Sequence, residues 1–373
     1  MVDDPVQVSA AFFASRPEHE RPRALGIEPV PGTTGLSAEA CGTCHTEIYL
    51  DWKGSVHAAA YVDPQLQEEM KKSENRWLCL GCHTPLMSQF EQLPVDLIDG
   101  DVEQPVWVAN PSFDASLRSE GVTCAGCHVR DGVIIGPGLP DSAPPHPVRV
   151  DPRFRDPAAV CVECHQAMVS YEGKNFLCTF DTGNEWSGSS AAARGEGCVS
   201  CHMPVVERPA AVGGPIRRVA QHGWPGSGLM KLPDQAPRVA IEPGLTLDTR
   251  VEDGVLVVQL GNRSGHHLPT GDPERWVQVD VQPLGKDGGL LGEPQSLRIG
   301  QRWEWEPTPR KLDDNRLAAD EARAWRVSMP PGTARVQVVA SSHRMSEDTA
   351  AYHHLLGRYP ISRETHRLVV EVP

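Results

Sequence analysis

The two parts of the 373-residue chain carry different hydrophobic patterns. From about residue 236, apolar and polar positions alternate in short runs at 245–251, 255–260, 276–281, 324–329, 335–340 and 367–372. A period of two is the strand signature, because successive side chains point to opposite faces. Asp-Gly, Asp-Gly-Gly and Pro-Pro-Gly turns bound the runs. The pattern predicts an all-β C-terminal domain over 236–373, an antiparallel sandwich. Upstream no period persists. Short helices are expected around 37–235, for example at 64–72, with the Pro- and Gly-rich stretch 132–147 as loop. Residues 1–36, with the turn Pro29-Val-Pro-Gly32, read as an extended lead-in.

Composition sharpens this picture. Aromatics are 6% and hydrophobic residues 39%, beside 34 glycines and 34 prolines. That is thin material for two side-chain cores, so something else is expected to fill one interior. No apolar run is long enough to span a membrane. The chain opens Met-Val-Asp-Asp, so a secretory leader is expected to have been removed. Net charge is −14, which argues against nucleic acid as a partner. Residues 236–373 hold 17 basic and 19 acidic side chains, leaving −12 on the first 235. Electrostatic steering therefore belongs to the first part.

The cysteines decide the chemistry. Ten of the 11 fall into five copies of C-x-x-C-H: Cys41/Cys44/His45, Cys79/Cys82/His83, Cys124/Cys127/His128, Cys161/Cys164/His165 and Cys198/Cys201/His202. This spacing reads as covalent haem c attachment. Two thiols on one helical turn can each add to a haem vinyl group, and the next His then faces the iron. Zinc ribbons and disulfide frameworks do not require a His after every pair. Five haem c groups are expected, with haem as the interior of an α-helical and irregular region over 37–235. Attachment of this kind takes place outside the cytoplasmic membrane, so the expected location is periplasmic or extracellular. Cys178 is left over and reads as a buried free thiol.

One echo stands out. Asp51-Trp52-Lys-Gly54-Ser55-Val-His57-Ala58 is repeated as Glu185-Trp186-Ser-Gly188-Ser189-Ser-Ala191-Ala192, with Ala191 where the first copy has His57. Together with Gly121-Val-Thr-Cys-Ala-Gly-Cys-His128, Gly197-Cys-Val-Ser-Cys-His-Met-Pro204, His222-Gly-Trp-Pro-Gly226 and Asn262-Arg-Ser-Gly-His266-His-Leu-Pro-Thr-Gly271, these segments resemble the multihaem cytochromes related to cytochrome c-554 and hydroxylamine oxidoreductase. The resemblance covers about residues 38–372. It implies electron transfer through closely packed haems, with one high-spin haem doing nitrogen-oxide or hydroxylamine chemistry in some members. All five motifs end in His, unlike the pentahaem nitrite reductases, which use a Lys in one motif. No sign of the tyrosine cross-link of hydroxylamine oxidoreductases is present.

Five bis-His haems need five further imidazoles. The resemblance offers His57 and His266, and His222 lies in a segment that carries it. His146, between prolines, is a fourth. For the fifth the choices are His353, His354 and His343, with His353 taken first. His267 reads as a hydrogen-bond partner or surface residue, His19 and His366 as surface. If the fifth stays open, the missing His at Ala191 points to a pocket near Glu185, Tyr171 and Trp186. Trp303 and Trp305 read as sandwich core or rim. The expected function is electron carriage between redox partners bearing a basic docking patch. The alternatives are a haem enzyme acting at one open iron, or self-association into a filament or oligomer closed by a neighbour's His.

Overall fold

The structure, a computed structural model, describes the chain except residues 1–3, 25–28, 73, 141–142, 157, 172–176 and 306. The side chain of Cys178 also lies outside the described residues. The alternating runs of the C-terminal part form two antiparallel sheets. One has the order Leu245–Glu252, Val255–Asn262, Ala322–Ser328. The other has the order Arg310–Asp314, Gln295–Glu304, Trp276–Leu284, Arg335–His343, Ser362–Glu371. Alternation turns Leu256, Val258 and Leu260 of the first sheet and Val277, Val279, Val281, Val336 and Val338 of the second into one shared apolar core. Two strands of the second sheet, Gln295–Glu304 and Arg310–Asp314, lie outside the runs read from the sequence.

The first part is built from short pieces. Each C-x-x-C-H sits on or ends a short helix: Ala38–Gly42, Arg76–His83, Cys124–His128, Ala159–His165 and Cys198–His202. The helix expected at 64–72 spans Pro64–Glu69, capped by Asp63. Hairpins pair Gln166–Ser170 with Leu177–Asp181 and Val205–Pro209 with Ile216–Ala220. The loop expected at 132–147 contains the strand Val133–Gly136.

The lead-in is not extended. Asp4 caps, and Pro5 opens, a helix over Pro5–Ser15. That helix inserts Phe13 into a cluster with Trp77, Phe90 and Leu93. This apolar cluster is more of a side-chain core than the composition suggested. Among the described residues no helix is long and apolar enough to cross a membrane.

Candidate functional site

The five motifs surround one connected cavity of about 2920 Å³, lined by all ten motif cysteines and all five motif histidines. A pocket for one small ligand is roughly 300–1,000 Å³. The space therefore suits several large groups rather than one substrate. Thiols of different motifs meet across it: Cys41 with Cys124, Cys82 with Cys164, and Cys161 with Cys198. The first motif thus neighbours the third, and the fourth neighbours both the second and the fifth.

Four motif imidazoles each face a second imidazole. His45 faces His146 at 6.4 Å between ring centroids, and His165 faces His57 at 6.2 Å. His128 faces His222 at 6.2 Å and His202 faces His266 at 6.3 Å. These separations lie in the upper part of the range of ring contacts, about 4.5–7 Å. They fit a metal between two Nε2 atoms, since a metal–nitrogen bond of about 2.0 Å puts each ring centre about 3 Å from the metal. The rings are also oriented for that role. Nδ1 of His45, His83, His128 and His202 lies 2.7–2.9 Å from the carbonyls of Ala210, Ala60, Ile135 and Pro225. His222 and His266 do the same with Ala220 and His267, at 3.0 and 2.9 Å. An Nδ1–H given to a carbonyl fixes the tautomer and leaves Nε2 free to coordinate. Burial keeps the rings neutral: it pushes His57 down to about 3, and His165 and His222 down to about 4, with neighbouring imidazoles adding to the effect.

Each facing imidazole is held by a local device. His146 is braced by the lead-in: Gly32, at φ +80°, passes so close that a Cβ would lie 1.9 Å from the Pro145 carbonyl. The His57 carbonyl accepts from Val122 N–H, and Trp52 Nε1–H donates to the Val122 carbonyl. The His222 N–H donates to the buried Asp51 carboxylate, which also pairs with Arg208. His266 follows Gly265, which packs on the second echo copy. A Cβ there would stand 3.1 Å from the Ala191 Cβ and 3.5 Å from Trp186. Ala191 is therefore small because the 264–267 turn occupies the place where the first copy carries its own His.

The shortfall falls on the second motif. Among the described residues, His83 faces no second imidazole. His353, taken first for this place, is 5% exposed, but its Nε2 lies 3.1 Å from Glu69 and its ring meets Tyr352 edge-on. His343 is engaged inside the sheet, stacked on Trp276 at 4.4 Å with Nε2 2.8 Å from Ser341 Oγ. His354 is exposed at the end of the same turn as His353. His267 donates its backbone N–H to Glu185 at 3.3 Å, while its buried Nδ1 stands 3.5 Å from the same carboxylate without a hydrogen bond. His19 is near the surface beside Glu20, and His366 Nδ1 meets Thr365 Oγ1 at 3.1 Å. Of the residues expected around an open site, Tyr171 and Trp186 line the shared cavity, while Glu185 does not. Glu185 is engaged by Arg316 at 2.6 Å and Thr270 at 2.5 Å, whereas Tyr171 bonds Glu20 and packs toward Trp77. Trp303 and Trp305 stack on each other at 5.5 Å, and Trp305 is 38% exposed.

Sequence reasoning missed the group beside His83. Asp63 there pairs with Lys231 and accepts from Tyr359 Oη–H at 2.6 Å, with the Arg344 guanidinium 4.4 Å over the Tyr359 ring. These partners are up to 296 positions apart, so no local pattern announces them.

Motifs, paired imidazoles and cavity are similar to those of multihaem c-type cytochromes. Residues 40–97 match the family described as cytochrome c554 and c-prime. The whole chain shares its fold with a penta-heme cytochrome c552 from Thermochromatium tepidum, at TM-score 0.63 and 18% identity, covering 96% of this chain and 100% of that one. Two short matches, to the putative ApaA protein from Bordetella pertussis (12% identity, 36% of this chain, 98% of that one) and to an oxidised superoxide reductase (7%, 34% and 86%), have TM-scores of 0.19 and 0.18 and carry no argument. No curated protein matches the chain. The likeness to that cytochrome shows the fold, and the family match falls on the stretch that holds the first two motifs.

Proposed function

We propose that this is a pentahaem electron-transfer protein working in the periplasm or outside the cell, with a haem domain over 37–235 and a β-sandwich over 236–373. The observation that carries the reading is the set of four imidazole pairs, each 6.2–6.4 Å apart and each including one motif His. Bound haem supplies reversible one-electron exchange between ferric and ferrous iron. The chain's own residues do the rest. The ten motif cysteines would hold the groups covalently, and the paired imidazoles would supply two iron ligands at four of them. The thiol contacts between motifs keep neighbouring groups close, in the order first, third, fourth, with the second and fifth both beside the fourth. The coulombic proximity of Cys127 to Cys161 and Cys164 supports the link from third to fourth. The sandwich contributes His266 and so ties its own core to the fifth motif. Two sheets sharing one apolar core support that domain reading.

A second reading is favoured by one observation: His83 has no facing imidazole among the described residues. Its iron is then the one position at which a small nitrogen species could bind. Electron paramagnetic resonance of the fully oxidised protein, with added nitrite, hydroxylamine or cyanide, tests both readings. Electron transfer through bis-His haems predicts bis-imidazole low-spin signals from about four haems in five. A high-spin signal from the remaining haem that moves with a probe selects the enzyme reading at His83. Low-spin signals alone, unmoved by probes, select the pure carrier. Absence of bis-imidazole signals overturns the axial assignments.

A further inference from the structure

The segment His222-Gly223-Trp224-Pro225 touches the axial imidazoles of three different motifs. His222 itself faces His128. The Trp224 ring stands edge-on to His222 at 5.3 Å and to His57 at 4.5 Å, and His57 faces His165. The Pro225 carbonyl lies 2.8 Å from His202 Nδ1, and His202 faces His266. Trp224 also holds a backbone φ of +40°, which a bulky side chain adopts only when its surroundings impose it. The residues on either side of it are anchored. Asp51 receives the His222 N–H at 3.3 Å, and Pro225 follows with its own fixed φ.

We propose that Trp224 is a positioning residue that sets the ring orientations of His57 and His222 together, so that the third- and fourth-motif haems share one rigid aromatic wedge. The inference rests on the axial assignments proposed above. An edge-on aromatic contact favours one ring plane over others. Neighbours that orient a metal-bound imidazole tune the metal it serves. Removing the indole frees both rings at once. Among the described residues no hydrogen bond or ring contact joins the His45–His146 pair to this segment, so it acts as an internal reference.

The test uses the haem-loaded protein and reads ring orientation rather than activity. Haem content per chain and low-spin resonance positions are measured for the native protein, Trp224→Leu and Trp224→Phe. The His45–His146 signal is assigned separately by its loss in His146→Met. We expect two low-spin signals to shift in Trp224→Leu, the same two to shift less in Trp224→Phe, and the His45–His146 signal to stay in place. If Trp224→Leu loses haem, Trp224→Phe alone decides. Unchanged positions in the variants overturn the proposal, as does a shift shared equally with the His45–His146 signal. If the native protein shows no bis-imidazole signals, the axial assignments fail instead, and the two failures are told apart by the native spectrum.

Discussion

A c-type haem ligand is specified by more than its motif, because an imidazole needs one nitrogen tied and the other free. The chain ties Nδ1 of six candidate ligands to carbonyl oxygens. Glu274 shows the opposite situation, a carboxyl held against its preference. Burial, then Asp272 and Glu69, push it up to about 7. A carboxyl raised in the folded state stabilises the fold fully only below its unfolded value, about 4.3. That contribution is lost as pH rises toward and through 7, because the folded protein must then bury a charge or keep a proton. Glu274→Gln is therefore expected to raise the thermal midpoint at pH 8 while changing it little at pH 4.5. Equal effects at both pH values in a pH series of melts would show that Glu274 is ionised at little cost. The ten motif cysteines were legible because their spacing is local. His57, His222 and His266 were legible through segments a few residues long. The lack of an imidazole facing His83 among the described residues and the double contact of Trp224 were not, since both depend on residues brought together from distant parts of the chain.

Elements were legible where burial leaves a period. The six alternating runs became strands because one face of each is buried in a shared core. Arg310–Asp314 was silent because it is an edge strand exposed along its whole length, and charge on an edge prevents unwanted pairing while erasing the apolar signal. Gln295–Glu304 buries Gly300 and Gln301 beside Ile299, so its inner face does not look apolar. The echoed helices show how one element can be used twice. The first, Thr46–Lys53, is followed by its own His57. The second, Thr182–Ser187, accepts a loop of the β region instead. That junction is fastened by Glu185, 8% exposed, which takes Arg316 on one oxygen and Thr270 on the other. Removing one partner of a buried pair costs about 3–5 kcal/mol when the other charge is stranded. Arg316 keeps Asp314 at 2.9 Å, so Glu185→Ala should fall at the low end, about 3 kcal/mol. The 264–267 turn should loosen with it. Chemical denaturation measures the first effect, and selective conversion of the His202–His266 signal to high spin measures the second. Loss of stability with all four low-spin signals intact would confine Glu185 to holding the two parts together.

At the scale of the molecule, charge is divided as unevenly as hydrophobicity. The first 235 residues carry −12 and the remainder −2. The proposed haems would add their propionates to the side that is already negative. A partner approaching that side feels an attraction only if its own docking face is basic, and salt removes most of it, since the screening length shrinks from roughly 30 Å at 0.01 M to about 3 Å at 1 M. Long-range charge of this kind acts chiefly on the rate of encounter. Reduction of the oxidised protein by a small cationic mediator, followed by stopped flow, should therefore slow several-fold as ionic strength rises across that range. An anionic mediator of matched potential should speed up. The pair of slopes locates the port by which electrons enter. Opposite slopes put it on the haem-bearing part, where Cys44 and Cys201 are exposed at the first and fifth motifs. Flat slopes for both would put it against the nearly neutral β region, and a basic partner patch would then have nothing to recognise.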